Sequence, residues 1–169
     1  AATVEPLLHG GTQQRVRSGT QDAAGAAAFA AAADLIVLDD PRVTVVRDRL
    51  LAGLAALPGV TIRGDLSPEG RLPGNVHATF DGCDGDALLY LLDREGFSVS
   101  TGSACQAGVS EVSHVLLAMG VPEVEARGAL RFTLGPETGM PAIEALLALL
   151  PGVLAQARSA SIRSPQRSA

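Results

Sequence analysis

The sequence contains no lysine, since all 13 of its lysine and arginine residues are arginines. A reaction that needs a side-chain amine as its nucleophile therefore cannot be completed by this chain alone. Tryptophan is also absent, and aromatic residues make up only 3% of the chain. Alanine, leucine and valine must therefore form most of the hydrophobic core.

Cysteine and positive charge are also scarce. Two cysteines in 169 residues do not make a disulfide framework, and they favour a reducing, cytoplasmic compartment. The net charge of −5 gives no indication of a nucleic-acid or anionic membrane partner. No apolar run is predicted to span a bilayer, and the N-terminal residues lack the pattern of a signal peptide. The length and the hydrophobic content of 47% are typical of one domain with a core.

The apolar periodicity predicts an α+β domain, with a small sheet and helices on one side of it. Asp40 followed by Pro41 is typical of a helix start, and the pair Pro151–Gly152 is expected to kink or break the last helix. The predicted helices cover residues 21–38, 41–57, 87–95, 113–119 and about 139–160, and the predicted strands cover residues 60–63, 75–80, 97–100 and 130–134.

Two of the predicted strands alternate between apolar and polar residues. In residues 75–80, His77 and Thr79 are expected on the polar face. In residues 130–134, Arg131 projects from the face opposite the apolar side chains. A guanidinium group there is either simply solvated or binds a carboxylate in a planar, two-pronged fit.

The two cysteines lie in different surroundings. Cys105 lies among serine, threonine, glycine and alanine in residues 100–108, which predict a mobile, solvated loop. An accessible thiol is partly ionised at neutral pH, and the thiolate attacks electrophilic sulfur. The alternative is an incidental surface cysteine. Cys83 lies in FDGCDGD, where the carboxylates are expected to raise the pKa of its thiol and to cap the following helix rather than bind calcium.

Residues 9–20, HGGTQQRVRSGT, precede a predicted helix and are rich in glycine, arginine, hydroxyl and amide groups. Because a helix N-terminus attracts anions, this stretch is a candidate anion site, although a glycine-rich surface loop would look the same. His9, His77 and His114 lack the spacing of metal ligands and are interpreted as structural, so no metal site is predicted.

Taken together, these stretches resemble cysteine desulfurases of the NifS/IscS type, which belong to the class-V aminotransferase group of pyridoxal-phosphate enzymes. STGSACQAGVSEVSHVLLAMG is similar to that family's catalytic-cysteine segment, and ALRFTLG is similar to its arginine-bearing strand. GGTQQRVRSGTQDAAGAAAFAAA resembles its RSGT segment with the following helix, and GCDGDALLYLLD resembles a helix start in its small domain. The motifs follow the family's order over nearly the whole chain.

The resemblance implies the small C-terminal domain of a fold-type-I pyridoxal-phosphate enzyme, with a short, mostly antiparallel sheet covered by helices. It places residues 1–38 at the border of the large domain and residues 39–158 in the small domain. Residues 159–169 are expected to form a disordered tail.

The resemblance also implies roles for three residues. Cys105 would take sulfur from L-cysteine and hold it as a persulfide. Arg131 would bind the substrate carboxylate, and Thr20 would contact the cofactor phosphate across the interface of a homodimer. The implied enzyme is cytoplasmic, forms L-alanine and passes sulfur to iron–sulfur scaffold proteins or tRNA-thiolation partners, without direct contact with nucleic acid or membrane.

The chain departs from the family pattern in two ways. In TQQRVRSGT only Val16 separates Arg15 from Arg17, and glutamine replaces a glutamate, so Thr20 is assigned and the two arginines are not. The family's cofactor-binding lysine, ring-stacking histidine and pyridine-nitrogen aspartate belong to a large domain that no segment here resembles. The chain alone is therefore expected to be inactive. The alternatives are a non-catalytic docking or dimerisation module and a stand-alone persulfide carrier.

Overall fold

A computed structural model describes residues 5–7, 9–10, 17–36, 40–67, 70–101 and 112–163, with the backbone alone for residues 161–163. The chain divides into two compact units, Ala1–Val37 and Leu38–Ala169. The first unit contains helix α1 (Ala23–Asp34), none of whose residues is buried. The carboxylate of Asp22 caps it by accepting from the Gly25 backbone N–H at 2.8 Å. The helix ends at Asp34, before the predicted end at residue 38.

The described part of the second unit is an α+β domain, as the sequence predicted. Its sheet has four strands, all paired antiparallel in the order β1-β2-β4-β3. The strands are β1 (Val60–Arg63), β2 (Asn75–Phe80), β3 (Ser100–Thr101) and β4 (Ala129–Thr133). The helices are α2 (Pro41–Ala55), α3 (Gly85–Arg94), α4 (His114–Ala118), α5 (Glu123–Ala126) and α6 (Met140–Arg163).

The main hydrophobic core lies between one face of the sheet and helices α2, α3 and α6. Alternation within the strands produces this face, because every second side chain of a strand points the same way. Val76, Ala78 and Phe80 of β2 are buried, and the ring of Phe80 meets that of Phe132 from β4 edge to face at 6.4 Å. Leucines of the three helices complete the core: Leu50, Leu54, Leu88, Leu92 and Leu150. Burying each leucine contributes about 1.5–3 kcal/mol.

Short helices also cover one end of the opposite face, so the prediction of helices on one side only is wrong at this end. Helix α5, which was not predicted, packs near β2. Its Ala126 joins Leu116, Val121 and Ala129 in a second, smaller cluster. Thr79, expected on the polar face, is fully buried there. A four-residue helix is too short to produce a periodic pattern, which is why the sequence did not reveal it.

Helix α6 continues through Pro151–Gly152, so the break that was one of the two predicted outcomes does not occur. Both residues lie on the exposed side of the helix, where water can bond to the carbonyl that the proline leaves unpaired. Leu150 and Leu154 hold the opposite side against the core. Residues 159–163 are therefore helical rather than part of a disordered tail, and the rest of the predicted tail lies outside the described residues.

The continuity of α6 also changes the expectation about membranes. The segment Met140–Ala160 is long and apolar enough to cross a bilayer by length and composition, with a mean hydropathy of 1.6. Its Ile143, Leu146 and Leu150 nevertheless lie in the hydrophobic core, where α6 packs against α2 and α3. The helix therefore has the packing of a core helix in a folded domain.

Other boundaries differ by a few residues from the predicted ones. The strand predicted over residues 97–100 is the two-residue β3. Helix α3 begins two residues early because Oδ1 of Asp84 accepts from the backbone N–H groups of Asp86 and Ala87, at 3.0 and 3.1 Å. After α3, the chain turns at Gly96 with a φ of +83°, a left-handed conformation that favours glycine.

Candidate active site

The three predicted site residues fall in different parts of the chain. Cys105 belongs to residues 102–111, which lie outside the described residues. Thr20 lies in the first unit, and Arg131 lies in the second. The site that the structure describes is therefore built around Arg131.

The register of the sheet places four polar residues in one line on the face opposite the main core. Arg63 of β1 pairs with His77 of β2, His77 pairs with Arg131 of β4, and Arg131 pairs with Ser100 of β3. Directly opposite residues share a face and have Cβ atoms about 4.5–5.5 Å apart. We call these four residues the polar row. Alternation within one strand does not tell which residues of other strands lie beside it, so the sequence indicated Arg131 alone.

Arg63 is held by bonds within the unit. Its Nε donates to Oγ1 of Thr79 at 2.9 Å, and its Nη2 donates to Oε2 of Glu125 in α5. The side chain is only 17% exposed. Glu125 therefore compensates the charge of Arg63, and the pair ties α5 to the sheet.

Arg131 is exposed, and it forms no hydrogen bond or ion pair with any residue that the structure describes. A guanidinium group has five N–H donors and can bind a carboxylate through two parallel hydrogen bonds. Its neighbours Leu130 and Phe132 are buried in the core, which fixes the backbone at this position. Arg131 is thus a positive group whose charge no described residue compensates.

His77 is half-buried between the two arginines of the polar row. Burial lowers the pKa of its imidazole below the usual value of 6.5, and the positive charges of Arg131 and Arg63 lower it further. The ring is therefore neutral at pH 7. Its Nδ1 is buried and has no hydrogen-bond partner within the described part of the chain.

The polar row ends where the chain leaves the sheet toward Cys105. Ser100, which pairs with Arg131, and Thr101 form β3, and residues 102–111 follow directly. After them, Ser113 caps α4 by accepting from the Leu116 backbone N–H at 3.4 Å. The last described residue before Cys105, Thr101, therefore lies on the strand that pairs beside Arg131.

Cys83 is buried in the main core. Burial is the largest cause that raises the pKa of its thiol, and the carboxylates of Asp81 and Asp84 add to it, while Arg158 opposes it. The predicted direction is thus confirmed, but burial rather than the aspartates dominates. No group of three or more histidine, cysteine, aspartate or glutamate side chains in the described ranges is arranged to hold a metal ion.

Thr20 is exposed and lies two residues before Asp22, the N-cap of α1. The N-terminus of a helix attracts anions, which suits a phosphate near Thr20. Asp22 already accepts from the Gly25 N–H, and its negative charge opposes a second anion at that point. Arg17 is exposed in the same stretch, whereas Arg15 lies outside the described residues.

Comparison with known proteins identifies relatives of the chain. The model of the aminotransferase class-V family matches residues 4–146. An IscS-like cysteine desulfurase of Mycobacterium tuberculosis is 49% identical over 166 residues, and a cysteine desulfurase of Cereibacter sphaeroides is 42% identical over 160 residues. The X-ray structure of a NifS-like protein from Rickettsia africae is similar to this structure, with a TM-score of 0.69 and 28% sequence identity.

The two desulfurases and the NifS-like protein are longer than this chain, which matches only part of each. The alignments cover 95% and 93% of this chain but only 42% and 41% of the two desulfurases. The structural match covers 90% of this chain and 40% of the NifS-like protein, so the fold is that of a part of such proteins. Because the family model matches most of its length, the chain belongs to the class-V aminotransferase family.

Proposed function

We propose that the chain is the C-terminal part of a pyridoxal-phosphate-dependent cysteine desulfurase, a sulfurtransferase that converts L-cysteine to L-alanine. The observation that carries the proposal is the free guanidinium of Arg131, beside the strand that leads to Cys105. The names of the relatives and the order of the motifs support the same activity. No observation favours a docking module or a stand-alone persulfide carrier.

Arg131 binds the substrate carboxylate in this proposal. Its exposure leaves room for a ligand, and Glu125 engages the other arginine of the polar row. A hydrogen bond to a charged group is worth about 1.5–3 kcal/mol. Since the backbone of Arg131 is fixed by the core, only the rotamer freedom of its side chain is lost when the carboxylate binds.

Cys105 receives the sulfur. The described chain leaves β3 at Thr101, four residues before Cys105, and four residues span at most about 14 Å. The thiolate attacks the substrate sulfur, a sulfur–sulfur bond forms and the carbon–sulfur bond breaks. The electron pair of the broken bond stays with the substrate carbon, which takes up a proton, so that one L-cysteine and one thiol give L-alanine and a persulfide.

The residues present fit only the phosphate end of pyridoxal phosphate. The cofactor, when bound, draws electrons from the substrate and so weakens the carbon–sulfur bond. Its covalent attachment needs a lysine, and this chain has none, so that residue belongs outside the chain. Thr20, near the N-terminus of α1, would contact the phosphate in the site of a partner subunit.

The wider setting is also part of the proposal. The enzyme acts as a homodimer in the cytoplasm and passes its persulfide sulfur to an iron–sulfur scaffold or another acceptor protein. The acidic composition, with a net charge of −5, supports protein partners rather than nucleic acid or an anionic membrane.

A hybrid enzyme tests the proposal. This chain replaces the matching 42% of the Mycobacterium tuberculosis relative, and sulfide release from L-cysteine is measured with a reductant. We expect turnover, and we expect Cys105→Ala to lower it at least about 100-fold because no other group accepts the sulfur. Cys83→Ala is the matched control, since that thiol is buried, and it should change the rate less than about twofold.

Three results would contradict the proposal. Undiminished release by the Cys105→Ala hybrid would show that this cysteine does not carry the sulfur. A folded, dimeric but inactive hybrid would favour the docking module. Persulfide that forms on Cys105 only after a second desulfurase is added would favour the stand-alone carrier.

A further inference from the structure

His77 is the residue of the polar row that the proposed function leaves unused. It lies between Arg63, whose charge Glu125 of α5 compensates, and Arg131, whose charge no described residue compensates. The described charged groups that act on the imidazole are these two arginines, and Glu125 is bonded to the first of them. One unpaired positive charge, that of Arg131, adjoins the ring.

The surroundings of the imidazole determine which nitrogen carries the hydrogen. Nδ1 is buried without a partner. A buried N–H donor without an acceptor is less tolerable than a buried lone pair without a donor, so the neutral ring carries its hydrogen on Nε2. Nε2 has no hydrogen-bond partner among the described residues and is not enclosed as Nδ1 is. His77 therefore presents a free, neutral donor on the side of the ring that is open.

We propose that His77 binds the substrate carboxylate together with Arg131, through a hydrogen bond from Nε2–H, and so contributes to the selection of substrates with a free carboxylate. The inference rests on the proposed role of Arg131. The Cβ atoms of directly opposite residues lie about 4.5–5.5 Å apart, so a carboxylate on the guanidinium lies within reach of the ring. A carboxylate accepts about four hydrogen bonds, and a bidentate arginine uses two of them.

A neutral second donor leaves the charges of the bound pair balanced at neutral pH. One free guanidinium matches the single negative charge of the carboxylate, and His77 adds a hydrogen bond without adding charge. A phosphate dianion in the same place would keep one negative charge uncompensated. The ligand class is therefore a monoanionic carboxylate.

Binding of that anion must also affect the titration of His77. A negative charge near the ring favours its protonated form and raises its pKa. By linkage, the carboxylate binds more tightly as the pH falls through the pKa of His77. The titration reports contact directly and needs neither cofactor nor turnover.

The test uses the 169-residue chain with sodium propionate, followed by NMR of its histidine side chains. We expect the pKa of His77 to rise as propionate binds. The signals of His9 and His114, both exposed, serve as internal references and should not respond to propionate. A His77 pKa that is the same with and without saturating propionate would overturn the inference.

Two variants separate the hydrogen bond from the shape of the side chain. His77→Leu keeps bulk without a donor and should weaken propionate binding about fivefold, whereas His77→Gln keeps an N–H donor and should stay within about twofold of the unsubstituted chain. The NMR spectrum of His77→Leu shows whether this variant folds. If it does not, the propionate affinity of His77→Gln and the titration of His77 decide whether the inference holds.

The outcomes distinguish this inference from the function on which it rests. If His77→Leu binds propionate normally while Arg131→Gln loses it, the inference fails and the role of Arg131 stands. If Arg131→Gln also binds normally, the carboxylate site of the proposed function fails with it.

Discussion

Arg63 and Arg131 belong to the same row of one sheet, two strands apart, and their surroundings give them different tasks. Arg63 donates to Thr79 and Glu125, whereas Arg131 donates to no residue in the described part of the chain. The same side chain is thus structural in one place, whereas in the other we propose that it binds the substrate carboxylate. The difference arises from α5, which supplies Glu125 to one arginine only.

Exchange of each arginine for glutamine should separate the two tasks. In the hybrid enzyme, Arg131→Gln is expected to raise the KM for L-cysteine about 10- to 100-fold, since a charge-assisted interaction is lost, with little change in stability. Arg63→Gln is expected to lower the free energy of unfolding by about 1–3 kcal/mol, because it leaves Glu125 without its partner. Steady-state kinetics and urea unfolding measure both quantities. A destabilised Arg131→Gln with normal KM would contradict the assignment.

His77 also makes stability depend on pH. Because its pKa is lowered in the folded state, the unfolded chain binds the proton first as the pH falls. Its contribution is complete above the unfolded pKa of about 6.5 and is lost as the pH falls from there through the folded pKa. We expect the unfolding free energy to decrease between pH 7 and pH 5, and His77→Gln to reduce that decrease. Urea unfolding that gives the same decrease in unfolding free energy between pH 7 and pH 5 for both proteins would contradict this.

At the scale of elements, two glycines show how the same substitution can change stability in opposite directions. A methyl group on Gly128 would lie 2.4 Å from the carbonyl oxygen of Phe80, a backbone atom that cannot rotate away. The carbonyl of Gly128 accepts from the Phe80 N–H at 3.0 Å, so the two backbones are joined closely here. Gly152 in α6 has no atom within 4 Å of such a methyl group.

Alanine at each position should therefore have opposite effects on stability. Gly128→Ala is expected to lower the free energy of unfolding by about 1–3 kcal/mol, because the strand must shift. Gly152→Ala is expected to raise it by up to about 1 kcal/mol, because alanine restricts the unfolded chain and favours helix. Chemical denaturation measures both changes. A change of the same sign in both variants would be inconsistent with the contacts described.

The elements also show what could be predicted from the sequence. The alternation of residues 130–134 and most of residues 75–80 correctly indicated which side chains face the core, since period-two patterns are local. Thr79 lies on the face opposite the main core, as predicted, but its burial there was not foreseen, because it depends on α5, a contact distant in sequence. The break at Pro151 did not occur because tertiary packing outweighs the local preference. The polar row could not be predicted from the sequence, because the register between strands is a property of the assembled sheet.

At the scale of the whole molecule, the absence of lysine limits what the chain can do alone. With pyridoxal phosphate, L-cysteine and a reductant, the purified 169-residue chain is expected to release no more sulfide than its Cys105→Ser variant. Sulfide release that depends on Cys105 would mean that the chemistry starts without a protein lysine. The chain would then have to be regarded as catalytically sufficient.

The solvent exposure of helix α1 is consistent with a chain that is one part of a larger protein. No residue of this apolar helix is buried, and Phe29 is 78% exposed. Leu35, just beyond its end, is 82% exposed. Such apolar exposure is unfavourable in water. We propose that residues 1–38 belong to the border of a large domain that lies outside this chain.

The order of strands has a consequence for how such a protein can diversify. The central pair, β2 with β4, encloses residues 81–128, which include Cys105. The entropy cost of closing a chain grows only slowly with its length, so an insertion of about ten residues there would cost about 0.2 kcal/mol. The segment around Cys105 can therefore lengthen or shorten during evolution, while the strands that hold Arg131 and His77 stay unchanged. Under the proposed function, one sheet that holds Arg131 and His77 would in this way serve sulfur acceptors at different distances.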